Sequence, residues 1–82
     1  MKELQEEDLE KEDIILMKTA LRYVSCGFAV FPLQKNAKIP IQYSNGVKDA
    51  TNNTNQVSRW FGERYPGHNI GVKTTNEYFV VD

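Results

Sequence analysis

Residues Tyr78-Phe79-Val80-Val81-Asp82 form an apolar run that ends in a carboxylate. An uninterrupted run of β-favouring residues predicts a strand buried on both faces, because a half-exposed strand would alternate polar and apolar side chains. Such a strand would place Asp82 at a sheet edge, where open α/β sheets build ligand and metal sites. Aspartate is also common in turns, because its side chain bonds to the local backbone, so Asp82 also fits a turn or the cap of a following element.

Length and composition are those of one small soluble domain. The chain has 82 residues, of which 40% are hydrophobic and 26% are charged, and a domain of this size buries only about 60–65% of its unfolded surface. No apolar stretch approaches the roughly 20 residues that a membrane span needs. The acidic N-terminus is unlike a basic secretion leader, so we expect a cytoplasmic protein without a membrane partner. Cys26 is the only cysteine, which excludes an intrachain disulfide and a multi-cysteine metal cluster.

Charge divides the chain into an acidic lead-in and a basic body. Residues 1–13 carry seven acids and two lysines, a net charge of −5, whereas residues 14–82 carry eight basic residues and four acids, a net charge of +4. We therefore assign residues 1–13 to a lead-in and residues 14–82 to the domain. Lysine and arginine neutralise phosphates, so the basic body is compatible with a nucleotide or nucleic-acid partner.

Residues 14–25 have the periodicity of an amphipathic helix. Apolar residues recur at intervals of three and four along this segment, which is the spacing of one helix face. Asp13 is the predicted N-cap of the helix. Gly27 is the predicted left-handed residue that ends it.

A second helix is predicted near residues 54–64. Asn53 is its predicted N-cap, with Gln56 three residues later in the capping-box position. Trp60 lies on the apolar side of this helix, so a core position is favoured over a role in stacking on a base.

Three segments are predicted as strands: Phe28–Leu33, Asn69–Thr74 and Tyr78–Val81. Pro32 lacks a backbone N–H and so marks a sheet edge or a strand end. The Asn45-Gly46 pair favours a turn, which would join 39–43 to 47–50 as a hairpin. The predicted fold class is therefore α+β (α/β-like), with two helices packed on a small mixed sheet. Four residues are predicted to be mostly buried in its core: Leu21, Phe31, Trp60 and Val80.

Several familiar chemical motifs are missing from the sequence. It contains no glycine-rich phosphate loop after a strand, no zinc-ligand spacing, and no serine or cysteine nucleophile with a partner histidine. His68 is the only histidine, and its Pro66-Gly67-His68-Asn69 context predicts a solvated loop residue rather than a ligand. The residues alone therefore indicate a mixed domain with a carboxylate at a strand end.

Six short motifs nevertheless follow one another along the chain. In order they are Ala20-Leu21-x-Tyr23 with Gly27-Phe28-x-Val30-Phe31-Pro32-Leu33; Lys38-x-Pro40; Gly46 to Asp49-Ala50-Thr51; Asn53 to Trp60; Pro66-x-x-Asn69-Ile70-Gly71-Val72; and Val80-Val81-Asp82. Their order and spacing resemble the N-terminal part of the bifunctional primase/polymerase (prim-pol) domain, within the archaeo-eukaryotic primase superfamily. The likeness covers about residues 16–82. The sequence departs from the family pattern at Asn53 and Thr54, where Asp-Pro is frequent.

The resemblance implies a nucleotidyl transferase that synthesises or extends primers from nucleoside triphosphates on single-stranded DNA, in replication of a plasmid, phage or other mobile element. In this chemistry closely spaced carboxylates hold two Mg²⁺ or Mn²⁺ ions. Asp82 would be the first carboxylate of a D-x-D pair and thus a catalytic metal ligand. We expect the 82-residue chain to be an N-terminal fragment that is inactive and without a bound cofactor by itself.

Six residues are candidates for contacts with nucleic acid or nucleotide: Lys35, Lys38, Lys48, Arg59, Asn69 and Lys73. Two other functions stay open at this point. The chain could be a standalone module that binds nucleic acid or protein without catalysis, or a purely structural piece. If the final strand leaves apolar sheet surface uncovered, we expect self-association of the fragment through that surface.

Overall fold

The computed structural model describes residues 11–81. Two helical segments and one three-stranded sheet make up this part of the chain, and the predicted α+β class, with two helices packed on a small sheet, is confirmed. The sheet has the order β1-β2-β3, and both strand pairings are antiparallel. The elements in chain order are α1 (Lys11–Ser25), β1 (Val30–Pro32), a 3-10 turn (Gly46–Asp49), α2 (Thr54–Arg59), a π-helical turn that continues it (Trp60–Arg64), β2 (Ile70–Lys73) and β3 (Tyr78–Val81).

Helix α1 differs from the prediction at its beginning. Lys11 and Glu12 are already helical, so Asp13 lies inside the helix and its predicted role as N-cap is wrong. Lysine and glutamate are good helix formers, and they continue the helical backbone before Asp13. The first ten residues of the acidic lead-in lie outside the described residues. No helix within residues 11–81 has the length and apolar character required to cross a membrane.

Helix α1 ends in a Schellman motif, and Gly27 is its left-handed residue, as predicted. Gly27 has a φ of +95°, and its N–H donates to the Val24 carbonyl at 2.9 Å. The N–H of Phe28 donates to the Tyr23 carbonyl at 3.1 Å, and the two rings pack edge to face with their centroids 5.9 Å apart. This pair of bonds, with its apolar contact, satisfies carbonyls at the helix end and turns the chain towards β1.

Strand β1 is buried along its whole length and forms one edge of the three-stranded sheet. Pro32, which has no backbone N–H, is the last residue of this edge strand. It therefore marks both a sheet edge and a strand end, the two positions that were predicted for it. On the outer side of β1, Val30 and Thr51 exchange two backbone hydrogen bonds of 3.0 Å. That bridge partly covers the edge of the sheet.

The predicted hairpin over residues 39–50 is not formed. The Asp49 carboxylate instead accepts hydrogen bonds from the Asn45 N–H at 3.0 Å and the Asn45 side-chain amide at 3.2 Å. Side-chain bonds of this kind compete with strand pairing, and Gly46–Asp49 forms a 3-10 turn. Leu33 forms an isolated bridge with Pro40, which returns the segment to the end of β1.

Helix α2 begins as predicted, because the Asn53 side chain accepts a hydrogen bond from the Gln56 N–H at 2.9 Å. Its second half widens into a π-helical turn, which is closed by a bond from the Tyr65 N–H to the Trp60 carbonyl at 2.6 Å. Gly62 lies in this turn, where a Cβ atom would come within 2.9 Å of the Met17 sulfur. The turn therefore packs closely against α1.

The core lies between the helices and one face of the sheet. Its buried members are Ala20, Val24, Val30, Val57, Phe61, Ile70 and Val72. Leu21 and Trp60 pack against this core but are only partly buried. Of the four residues predicted to be mostly buried, Phe31 is buried, whereas Leu21, Trp60 and Val80 are intermediate.

Phe31 fills the other face of the sheet. It pairs with Gly71, which pairs in turn with Val80, so the three residues form one row across the strands. A Cβ atom on Gly71 would lie 2.6 Å from the end of the Phe31 ring, and the Tyr78 ring packs against the same ring at 5.1 Å. Gly71 thus leaves the space that the Phe31 ring occupies.

Strand β3 is less buried than predicted. Its residues are intermediate or exposed, and Phe79 keeps 40% of its surface exposed while its ring packs against Tyr23 at 6.0 Å. Within the described part of the chain, β3 is therefore not buried on both faces, and that prediction is wrong. The physical reason is its position, because within the described chain β3 is an edge strand that pairs only with β2.

We predict that Gly71→Ala destabilises the domain by about 1–3 kcal/mol, because the added methyl group overlaps the Phe31 ring. Urea unfolding of the 82-residue chain measures the change. In a Phe31→Leu background the same substitution should cost less, since the smaller side chain leaves room. Equal costs in both backgrounds would show that the close packing of Phe31 on Gly71 does not limit this position.

Phe61 and Trp60 are adjacent aromatic residues with different burial, so they form a matched pair. Phe61→Ala should cost about 3–5 kcal/mol, because its side chain is completely buried. Trp60→Ala should cost less, because part of the indole is already in contact with solvent. Thermal melts of the two variants test the order, and a larger loss for Trp60→Ala would contradict it.

Candidate functional site

One end of the sheet is the candidate site. There Pro32 pairs with Ile70, and Ile70 pairs with Val81, so the three strands meet in one row. Neighbouring strands are spaced by about 4.8 Å, so Pro32 and Val81 are about 10 Å apart. Asp82, the predicted catalytic and metal-binding residue, is next in sequence and lies outside the described residues.

A basic loop, residues 34–40, lies beside this end of the sheet. The Leu33 N–H donates to the Asn69 carbonyl at 2.9 Å, which extends the pairing of β1 with the chain before β2. Gln34 then closes the loop, because its N–H donates to the Ile39 carbonyl at 2.8 Å and its side-chain amide donates to the Pro40 carbonyl at 3.2 Å. The loop is therefore a closed structure rather than a free connection.

Two side chains from the sheet region hold the middle of the basic loop. The Asn69 amide donates to the Ala37 carbonyl at 2.7 Å, and the Tyr78 hydroxyl donates to the Lys38 carbonyl at 2.9 Å. The Asn69 amide donor, which the sequence suggested for a nucleic-acid contact, is engaged here in anchoring the loop. Lys35 and Lys38 are exposed on the loop that it anchors.

Helix α1 and the segment before β2 also approach the basic loop. A Cβ atom on Gly67 would lie 2.7 Å from an Asp13 carboxylate oxygen and 3.5 Å from the Cε atom of Lys35. With a φ of +77°, Gly67 also has a backbone conformation that other residues rarely adopt. Asp13, which was predicted to be a helix cap, packs its carboxylate against this glycine.

The other predicted nucleic-acid contacts do not gather at this end. Lys73 pairs with Tyr78 at the opposite end of the sheet. Arg59 borders a polar groove with Thr51 beside the outer edge of β1, and Lys48 is exposed on the 3-10 turn. The structure thus places Lys35 and Lys38 on the loop that Asn69 anchors, and it places Arg59 elsewhere. Lys73 lies beside Tyr78, whose hydroxyl holds the same loop.

No metal site is complete within the part of the chain that the structure describes. Residues 11–81 contain no group of three or more histidine, cysteine, aspartate or glutamate side chains arranged to hold an ion. His68 is half-buried in its loop, where its Nδ1 atom lies 3.2 Å from the Pro66 carbonyl oxygen and its ring packs against Tyr65. His68 is therefore less exposed than the solvated loop residue that the sequence predicted.

A cluster of aromatic and cationic side chains was missed by the sequence analysis. Tyr43 is 96% exposed and borders an open groove together with Trp60, Arg64 and Tyr65. Tyr43 is far in sequence from the other three, and its segment was predicted to be a strand. No sequence signal joins these residues, because only the packing of the 41–45 segment beside the π-helical turn brings them together.

Comparison with known proteins identifies the domain. Residues 20–82 match the family model Prim-Pol, described as the N-terminal domain of bifunctional DNA primase/polymerase. No curated protein and no solved structure gives a significant match. The matched region includes the whole sheet, the basic loop and Asp82, and it supports a general role in DNA priming or polymerisation. Because the match covers most of the 82 residues, the chain belongs to the Prim-Pol family.

Proposed function

We propose that this domain takes part in template-directed nucleotidyl transfer, in which primers are made or extended from nucleoside triphosphates on single-stranded DNA. The observation that carries the proposal is the family match, which runs through β3 and includes Asp82. We place this activity in the cytoplasm, in replication of a plasmid, phage or other mobile element.

Asp82 is the proposed catalytic residue. Mg²⁺ and Mn²⁺ require several oxygen ligands, and one carboxylate cannot supply them. Residues 11–81 provide no ligand cluster of their own, so the remaining ligands would come from outside this range. Two such ions, when bound, would stabilise the charge on the attacking and leaving oxygens. For this reason we propose that the 82-residue chain alone neither holds the ions nor catalyses.

The basic loop is the proposed phosphate-binding element. Lys35 and Lys38 are exposed on it, and Asn69 and Tyr78 fix its backbone through the hydrogen bonds to Ala37 and Lys38. A loop that is already ordered loses little conformational freedom on binding, which favours contact with an anionic ligand. The loop also lies beside the sheet end that precedes Asp82, so both features can act on one substrate.

A non-catalytic nucleic-acid-binding module is the second candidate function. The observation that favours it is the aromatic surface at Tyr43 and Trp60, which none of the basic-loop residues borders and which needs no metal ion. The two proposals predict different effects of removing the Asp82 carboxylate, which is required for catalysis but not for the binding module.

In the full-length protein, Asp82→Ala should abolish nucleotide incorporation while the fold is retained, because a carboxylate after a strand contributes charge rather than packing. An incorporation assay on a primed single-stranded template tests this, with circular dichroism as the check on folding. Glu77→Ala is the matched control, since Glu77 is exposed in the turn before β3 and only its backbone bonds to Thr74. Near-normal incorporation by folded Asp82→Ala would leave the binding module as the better proposal.

The 82-residue chain should bind single-stranded DNA weakly, with an affinity that falls as the salt concentration rises. Replacing Lys35 and Lys38 together with alanine should reduce the slope of log K against log salt by about 0.7 for each phosphate contact that is lost. Arg22→Ala, which removes an exposed cation in the last turn of α1, should leave the slope unchanged. Fluorescence anisotropy at several salt concentrations measures the slopes, and a larger effect of Arg22→Ala would show that phosphates bind elsewhere.

A further inference from the structure

An open groove of about 310 Å³ lies between residues 41–45 and the π-helical turn. Four of its residues define what we call the aromatic groove: Tyr43, Trp60, Arg64 and Tyr65. Its volume lies at the lower end of the roughly 300–1,000 Å³ of ligand pockets. None of the six predicted nucleic-acid contacts borders it.

Tyr43 is held at the mouth of the groove in a strained backbone conformation. The segment Ile41–Ser44 is a tight turn, in which the Ser44 N–H donates to the Ile41 carbonyl at 3.1 Å. Tyr43 is its third residue and has a φ of +67°, a position that favours glycine or asparagine. Because its side chain is 96% exposed, burial of the ring does not compensate for the strain. Strained backbone conformations cluster at functional sites, which makes Tyr43 a candidate for one.

A second part of the groove wall is also aromatic. Trp60 packs one part of its indole against the core and leaves another part exposed. The π-helical turn places Tyr65 five residues later beside it, through the bond from the Tyr65 N–H to the Trp60 carbonyl. The Arg64 guanidinium carbon lies 5.4 Å from the centre of the Tyr65 ring. The wall therefore combines a fixed indole, a phenol ring and a cation.

The charges of the groove favour a ligand that has flat rings and an anionic backbone. Among residues 11–81, Asp49 is the only acid that borders the groove, and both of its oxygens accept hydrogen bonds from Asn45. Arg64 forms no ion pair with a carboxylate among residues 11–81, and its guanidinium lies over the Tyr65 ring. Gln42 and Ser44 make the rim polar, which disfavours a purely apolar peptide. A nucleobase attached to a phosphate chain matches these features.

We propose that the aromatic groove binds an unpaired base of a single-stranded nucleic acid by stacking on Tyr43 and Trp60, with Arg64 near the adjoining phosphate. A duplex is excluded as the ligand, because its bases are already stacked inside the helix and cannot reach the rings. The inference rests on the proposed function for the source of the strand, which would be the template.

The groove lies towards the sheet end already described as the candidate site. A smaller cavity of about 50 Å³ adjoins it, because the two share Trp60 and Tyr65 as lining residues, and Pro32 lines the smaller one. Pro32 belongs to the row that ends at Val81, about two strand spacings or about 10 Å away. A strand anchored in the groove can therefore extend past the end of the sheet towards Val81, the residue that precedes Asp82 in sequence.

Trp60 is the only tryptophan of the chain, so its fluorescence reports directly on the groove. We would titrate the 82-residue chain with an unlabelled oligothymidylate at a salt concentration high enough to weaken phosphate contacts. Saturable quenching is expected for the wild type, and an equal concentration of duplex DNA should give none. Tyr43→Ala should lower the affinity about 5- to 100-fold, the effect of losing one stacked base. Tyr43→Phe should retain it.

A second variant separates binding from stability. Tyr43→Gly removes the ring and suits the positive φ, so its melting temperature should equal or exceed that of the wild type while its affinity falls as in Tyr43→Ala. Phe28→Ala is the control, since it removes a ring that is 40% exposed outside the groove, and its affinity should be unchanged.

Three results would overturn the inference: no quenching of the wild type, equal quenching by duplex DNA, or equal affinity for Tyr43→Ala and the wild type. The incorporation assay on Asp82→Ala is independent of these titrations. Loss of incorporation in that variant, together with wild-type affinity in Tyr43→Ala, would refute the proposal that the groove binds a base and would leave the catalytic proposal intact. Full incorporation in Asp82→Ala, together with weakened binding in Tyr43→Ala, would refute the catalytic proposal alone.

Discussion

The packing of the Phe31 ring over Gly71 is the contact on which the second face of the sheet depends. The ring lies where a Cβ atom of residue 71 would be, so it spans the central strand and meets Tyr78 of β3 on the far side. Tyr78 in turn donates its hydroxyl to the backbone of Lys38. One glycine therefore lets three strands and the basic loop share a single packed layer.

The two faces of the sheet have different roles, since one carries the apolar core and the other carries the anchored loop. The helical face carries a core of aliphatic residues with Phe61, which stabilises the fold through burial of apolar surface. The Phe31 face is covered by irregular segments, whose polar backbone is satisfied by Asn69, Tyr78 and Gln34. Loops that are anchored on a rigid scaffold are suited to carry binding residues.

The π-helical turn joins these two roles. It buries Phe61 and Gly62 against α1, while the residues at its two ends, Trp60 and Arg64, border the aromatic groove. A wider turn shifts the side chains that follow it relative to a regular α-helix, and π-turns are frequent at functional sites. The same local distortion thus serves both the core and the surface.

The sequence by itself determined the elements whose signals are local. Both helices, the Asn53 cap, the Gly27 stop and the three strand segments follow from periodicity, capping and turn chemistry, which act over a few residues. The order of six short motifs also identified the family that the family-model match then confirmed. Asp82 was singled out in the same way, and its role stays a prediction.

Only the tertiary structure decided what depends on contacts between distant residues. The predicted hairpin over 39–50 was wrong because the Asp49 carboxylate accepts hydrogen bonds from Asn45. The predicted burial of β3 was wrong because the burial of a strand depends on its neighbouring strands. Asn69 bonds to Ala37 across 32 residues of sequence, and Tyr43 and Trp60 line one groove. A sequence pattern reports the periodicity of one segment, whereas such pairings are set by how segments pack, which no single segment encodes.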